Sequence, residues 1–275
     1  MAIEIRVEGL SKAFGGRVVL DDIDLEIARR DIVAVVGGSG CGKTVLLNHV
    51  LGLLAPDAGR VLVANHARPG APLVDVAGLG EQARDDIHNH WGVVFQRNAL
   101  FSGSVLNNIA LWLKEVKGLD DADVLPIARD VLSAVELPSD TEFLAAATTS
   151  LSGGMAKRLA VARALAMDPI VIFYDEPTTG LDPASAAHIQ DLILGAHAKP
   201  GPGDVARTTV IITHDTDLLK RLHPRVVMLH EARVIFDGPF AAFEASDSPV
   251  IRAYFDLMPV LHARDARPAL VEGTL

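Results

Sequence analysis

Apolar residues fall along this chain in two patterns. Three short runs are continuous and rich in β-branched residues: 32–36 (IVAVV), 170–174 (IVIFY) and 208–213 (TTVIIT). Such runs, bounded by polar or glycine-rich stretches, predict strands buried on both faces, as in a parallel sheet. At 3–7 (IEIRV) and 18–27 (VVLDDIDLEI) apolar and charged residues alternate, which predicts half-exposed strands. Further strands are expected at 59–64 and 91–95, with a short final pair at 226–229 and 234–237. Helical spacing marks 45–54, 182–198 and most of 104–166, the last with breaks expected at Gly118, Pro126 and Pro138. The rest of 57–90 reads as irregular, and the run 199–204 (KPGPGD) ends a helix. Buried strands alternating with helices imply an α/β fold around a mostly parallel sheet, with the helical block inserted into it.

Composition narrows the function classes. The chain has 275 residues, 49% hydrophobic and 22% charged, a balance that excludes a wholly disordered protein. The formal net charge of −10 disfavours a nucleic-acid partner, whose phosphates call for clustered Lys and Arg. The single cysteine, Cys41, cannot form an internal disulfide, which suits a reducing compartment. His88 and His90 suggest a metal pair, but the sequence offers no third ligand beside them. The first ten residues carry Glu4 and Glu8 and lack the apolar core of a secretory signal. No apolar run nears the ~18 residues of a spanning helix. Any membrane role is therefore expected to come through a partner.

The chemistry begins directly after the first buried run. Gly37-Gly38-Ser39-Gly40-Cys41-Gly42-Lys43-Thr44 fits G-x-x-x-x-G-K-[ST], between a strand and a helix. Glycines let backbone amides wrap phosphate oxygens, and the helix start adds its positive dipole end. Lys43 can reach the β- and γ-phosphates, and Thr44 can offer its hydroxyl to Mg²⁺. A dinucleotide fingerprint is the rival reading of these glycines, but Lys43 stands where its third glycine belongs. Cys41 occupies a variable position, either as a small filler or as a thiol activated by the helix start.

The run 170–174 delivers Asp175 and Glu176 to a strand end, where open α/β sheets bind ligands. Asp175 suits a Mg²⁺ site, and Glu176 suits a general base for an attacking water. Leu151-Ser152-Gly153-Gly154-Met155 precedes a helical pattern at 156–166.

With these motifs in order, the chain resembles the nucleotide-binding subunits of ABC transporters from about residue 3 to 238. The resemblance implies a P-loop NTPase fold, a RecA-like mostly parallel sheet with an antiparallel β subdomain and an inserted helical subdomain at about 98–166. Residues 239–275 then form a C-terminal helical extension and tail. It also implies ATP and Mg²⁺ as ligands. Ser152, Gly153 and Gly154 match the signature that caps the γ-phosphate held by the opposite subunit, with Met155 replacing the usual Gln. Phe95-Gln96 matches the Q-loop, so Gln96 is expected to contact Mg²⁺ and sense the membrane subunit. Gly180-Leu181-Asp182 matches the D-loop, whose Asp182 couples the two sites. Thr213-His214-Asp215 matches the switch, with His214 holding the γ-phosphate and water. Phe14 stands where an aromatic stacks on adenine.

Residues 92–110 and 151–167, with Ala99-Leu100-Phe101 and Met155, are similar to the Mla-type ATPases that serve MCE-domain lipid carriers. The implied function is ATP hydrolysis driving phospholipid transport, from the inner face of the cell membrane. The implied partners are a second copy of the chain, an integral-membrane permease, a small regulatory subunit and an MCE-type carrier. The alternatives are the ATPase of a small polar solute importer and a non-transport ABC regulator. In the tail, Val250, Ile251, Tyr254, Phe255 and Met258 recur at helical spacing. This stripe either folds back on its own subunit or docks on a second subunit or a regulatory partner.

Overall fold

The computed structural model describes residues 2–97, 99–199, 201 and 206–256. Two sheets carry the fold. The first is antiparallel and joins β1 (Ile3–Phe14), β2 (Arg17–Ala28), β4 (Ala58–Val63) and β5 (Val74–Asp75) in the order β2-β1-β4-β5. The second has six strands, with β3 (Ile32–Val36), β6 (Trp91–Val94), β7 (Val171–Asp175), β8 (Thr208–Ile212), β9 (Arg225–His230) and β10 (Arg233–Pro239) in the order β10-β9-β3-β8-β7-β6. Every pairing in it is parallel except the β9/β10 hairpin at one edge. The three continuous apolar runs became the central strands β3, β8 and β7. The last two are buried at every position, as strands with both faces covered must be.

Helix α1 (Lys43–Val50) follows β3, and α2 (Glu81–His88) precedes β6. Between β6 and β7 lie α3 (Val105–Glu115), α4 (Asp121–Ala134), α5 (Thr141–Ala145) and α6 (Gly153–Ala166), the expected helical insertion. Helix α7 (Pro183–Ala198) separates β7 from β8, and α8 (Thr216–Leu222) separates β8 from β9. The described chain ends with α9 (Phe240–Glu244) and α10 (Pro249–Asp256).

Three expectations need correction. Helix α4 runs through Pro126 instead of breaking there. Pro126 is exposed in the helix's second turn, Asp120 caps the start, and Val124, Ala128 and Leu132 bury one face. That burial outweighs the one lost backbone bond. The segment 57–90 is less irregular than its pattern implies, since it holds β5 and α2. Of α2 only Ile87 is buried, so no apolar stripe announces it. Helix α1 stops at Val50, short of the expected residue 54.

Three apolar clusters organise the interior. One fills the helical insertion and its contact with α7. A second lies between the two sheets around Ile5, Leu20, Leu46 and Phe173. The third joins Ala34, Val36, Val226 and Met228 to Phe240, Phe243, Ile251 and Tyr254. The tail stripe therefore folds back on its own subunit at Ile251 and Tyr254, while Met258 lies outside the described residues. Phe243, fully buried, has ring centroids at 5.1 Å from Phe236, 5.3 Å from Phe255 and 5.8 Å from Tyr254. Truncating it opens a cavity that these rings cannot fill. Phe243→Ala is expected to lower the unfolding free energy by about 3–5 kcal/mol in urea titration. A loss under about 1 kcal/mol would mean that α10 is not anchored there.

Candidate functional site

The loop between β3 and α1 is shaped by two glycines that no other residue can replace. Gly37 has φ 147°, and a Cβ there would stand 2.2 Å from the Leu229 carbonyl oxygen. Gly42 has φ 105°, and its Cβ would meet the Val19 carbonyl oxygen at 2.7 Å. Gly42 is also the cap position before α1, and it offers no side-chain hydrogen bond there. The first-turn amides of α1 are left for another acceptor, with the dipole's positive end behind them. The Lys43 ammonium donates to the carbonyls of Gly37 at 2.8 Å and Gly38 at 3.0 Å, closing the loop on itself.

Across from this loop stands the end of β7. Glu176 has φ 48°, a conformation disfavoured for a residue with a side chain. Its amide is tied to the Ile212 carbonyl at 2.8 Å, so the sheet holds the strained turn in place. Its carboxylate oxygen Oε2 lies 2.7 Å from His214 Nδ1 and accepts from Thr179 Oγ1 at 3.1 Å. The hydrogen bond to Glu176 raises the His214 pKa above the ordinary imidazole value. Asp175 is buried, and its Oδ1 has no hydrogen-bond partner among the described residues. Burial, and then the charge of Glu176, raise its pKa. A buried carboxylate with an orphaned oxygen beside a phosphate loop is chemically matched to a hard divalent cation such as Mg²⁺.

A cavity of about 870 Å³ is lined by Gly37, Gly38, Ser39, Gly40, Gly42, Lys43, Thr44, Gln96, Glu176 and His214. Most of the residues singled out for catalysis and phosphate binding thus share one space. Cys41 is half-buried behind the loop, with Sγ 3.9 Å from Lys43 Nζ. Others stand apart from that space. Phe14 is 46% exposed at the tip of β1, with the Lys12 ammonium 5.5 Å from its ring centroid. Ser152 caps α6, accepting from the Met155 amide at 3.3 Å, and Gly153 and Gly154 open that helix. Gly154 also faces Ser185, whose Oγ would be 2.9 Å from a Cβ. The Asp182 carboxylate caps α7, accepting from the amides of Ala184 and Ser185, both at 3.1 Å. The Ser185 side-chain hydrogen bond leads in lowering its pKa. His88 Nε2 lies 3.1 Å from the Leu51 carbonyl, and no metal-ligand cluster exists among the described residues.

The structure adds long-range ties that sequence alone did not reveal. Lys157 is almost wholly buried in α6 and donates to the carbonyls of Phe95 and Gln96, both at 3.1 Å. Burial lowers its pKa. It ties the helix that begins with Ser152 to the loop that carries Gln96. Asp215 caps α8 and accepts from Thr178 Oγ1 at 2.8 Å and Gln190 Nε2 at 3.1 Å. That network joins the turn after Glu176 to the turn holding His214. A charged residue in an ordinary helical pattern gives no local sign of such long-range pairing.

The sequence profile described as ABC transporter matches residues 20–179. The chain belongs to the ABC transporter family. It is an ATP-binding subunit of that family and an ATPase. Among its relatives, the probable ribonucleotide transport ATP-binding protein mkl of Mycobacterium leprae is 31% identical over 257 residues, 93% of this chain and 70% of the relative. The protein TRIGALACTOSYLDIACYLGLYCEROL 3, chloroplastic, of Arabidopsis thaliana is 32% identical, covering 91% of this chain and 72% of its own. The methionine import ATP-binding protein MetN of Latilactobacillus sakei is 35% identical over 86% of this chain and 64% of its own. Among solved structures, cbiO1 of Clostridium perfringens, part of the ABC transporter complex cbiONQ, superposes with TM-score 0.74 at 29% identity, covering 94% of this chain and 97% of its own. The ATP-binding cassette MJ0796, dimeric and bound to ADP and Pi, gives TM-score 0.73 at 26% identity, covering 86% and 98%.

Proposed function

We propose that this ATPase drives phospholipid transport through a membrane permease and an MCE-type lipid carrier, working as a pair of copies that sandwich two ATP molecules. Among the described residues no helix is long and apolar enough to cross a membrane, so this reading needs a membrane partner. The observation that carries it is an apolar groove of about 580 Å³ between the central sheet and the helical insertion. Phe101, Leu111, Val116 and Leu53 on its walls are each between 44% and 57% exposed. An open apolar groove of this kind suits a partner's helix. Phe95 lines the groove, and the next residue, Gln96, lines the phosphate cavity, so an occupant can act on the nucleotide end. The subunit then works peripherally at the cytoplasmic membrane face.

In this reading Lys43 and the amides of Gly38 to Thr44 hold the β- and γ-phosphates. Glu176 takes the proton of the attacking water, with His214 orienting the carboxylate and facing the γ-phosphate. Asp175, Thr44 and Gln96 hold Mg²⁺, which supplies charge neutralisation for the phosphates. Phe14 stacks on adenine. Ser152, Gly153, Gly154 and Met155 act on the ATP of the opposite copy, with Asp182 linking the two sites. Their distance from the cavity within one chain supports that division.

The lipid cargo is supported by the signature ending in Met155 and by the relative named for a galactosyl diacylglycerol. The similarity to MetN favours a second reading, the ATPase of a small polar solute importer. Reconstitution of the co-purified membrane complex in vesicles separates them. ATP-dependent transfer of labelled phospholipid is the expected result, and ATP-dependent uptake of a polar solute with no lipid movement would overturn it. In the same system, Phe101→Asp with Leu111→Asp is expected to release the chain from membranes. Hydrolysis by the purified subunit should stay within about two-fold, since exposed positions contribute little to the fold. Membrane recovery equal to the unmodified chain would remove the groove from the argument.

A further inference from the structure

The cavity at the phosphate loop has one wall that the nucleotide chemistry above does not use. Pro249, Val250, Ala253 and Tyr254 of α10 line it alongside Lys43, Glu176 and His214. Tyr254 is 6% exposed, and its hydroxyl is buried with no hydrogen-bond partner among the described residues. The ring is fixed by aromatic neighbours, Phe243 and Phe255, both at a centroid distance of 5.8 Å. A buried phenol normally finds a partner, because leaving a donor unpaired is costly. Burial raises the Tyr254 pKa, and the nearby charges of Glu176 and then Asp215 raise it further, so the hydroxyl keeps its proton and remains a donor.

We propose that Tyr254 is a positioning residue whose hydroxyl donates to the Glu176 carboxylate during the ATPase cycle, making turnover depend on the C-terminal helix. The geometry supplies the opening. Glu176 Oε2 is engaged by His214 and Thr179, and the carboxylate faces a cavity of which Tyr254 forms part of the wall. A donor from α10 then adds a third restraint on the carboxylate beside those from His214 and Thr179. The inference rests on Glu176 acting as the base.

The test compares the full chain with its Tyr254→Phe variant for kcat, KM for ATP and thermal midpoint. The substitution removes one oxygen that makes no hydrogen bond among the described residues, so the midpoint should be unchanged or slightly higher. The expected result is a fall in kcat of about ten-fold, with KM for ATP within about two-fold. In a Glu176→Asp background, where the carboxylate is withdrawn, the same change should alter kcat by less than about two-fold. An unchanged kcat overturns the proposal, as does a kcat that falls only together with the midpoint. A full ten-fold effect in the Glu176→Asp background overturns it too. If Glu176→Gln keeps turnover, the reading of the base fails instead. If Glu176→Gln is inactive and Tyr254→Phe is not impaired, only the role of Tyr254 fails.

Discussion

Glu176→Gln is expected to bind ATP as the unmodified chain does and to lose turnover by about 10²–10⁴-fold, the range that a general base contributes. The exchange is nearly isosteric. The amide oxygen can still accept from Thr179 Oγ1, and the turn at φ 48° is held by the backbone bond from the Glu176 amide to Ile212, which does not change. What disappears is the negative charge that draws a proton from water. The loss should therefore appear in kcat, with ATP affinity by calorimetry unaltered. A second consequence follows if two chains share each ATP. With hydrolysis stopped, the ATP-bound pair should accumulate and elute as a dimer on size exclusion. Unmodified rates in the variant would remove Glu176 from the mechanism, and a monomer at saturating ATP would count against the sandwich.

The parts of this site written in contiguous residues were legible in the sequence, and those assembled across the chain were not. Residues 37–44 carry the phosphate loop as one contiguous pattern between a strand and a helix, even though the close approaches that demand Gly37 and Gly42 come from Leu229 and Val19. The strands β3, β7 and β8 announced themselves because burial on both faces leaves a continuous apolar run. Helix α2 did not, because it buries only Ile87 and its remaining residues face solvent or polar contacts. Pro126 misled because a local breaking tendency was outweighed by tertiary burial of Val124, Ala128 and Leu132. The Lys157 ties to Phe95 and Gln96 span some sixty residues, so nothing beside Lys157 reveals them. The tail stripe was visible as a pattern, but its partner was not. Helical spacing reports that a face is buried without saying against what, and only the fold brings Ile251 and Tyr254 onto β3 and β9.

Lys43→Ala tests the other end of the cavity, and its effect should fall on binding as well as rate. Lys43 is 9% exposed, and its ammonium donates to two carbonyls of its own loop, so it is held where phosphate oxygens are expected. Hydrogen bonds to charged groups contribute about 1.5–3 kcal/mol, so ATP affinity should weaken by roughly ten- to hundred-fold. Turnover should fall further, because negative charge on the transferring phosphoryl group has lost its nearest fixed cation. Lys43→Arg is not expected to restore either property. A planar guanidinium is larger and cannot settle between the Gly37 and Gly38 carbonyls as a compact ammonium does. The fold should survive both changes, since the loop's shape comes from the glycine conformations and from the packing of Leu46 and Leu47. Isothermal calorimetry with ATP, beside a thermal melt, separates the cases. Unchanged affinity would show that Lys43 does not meet the phosphates. Weakened affinity together with a collapsed melting point would make it a strut of the loop.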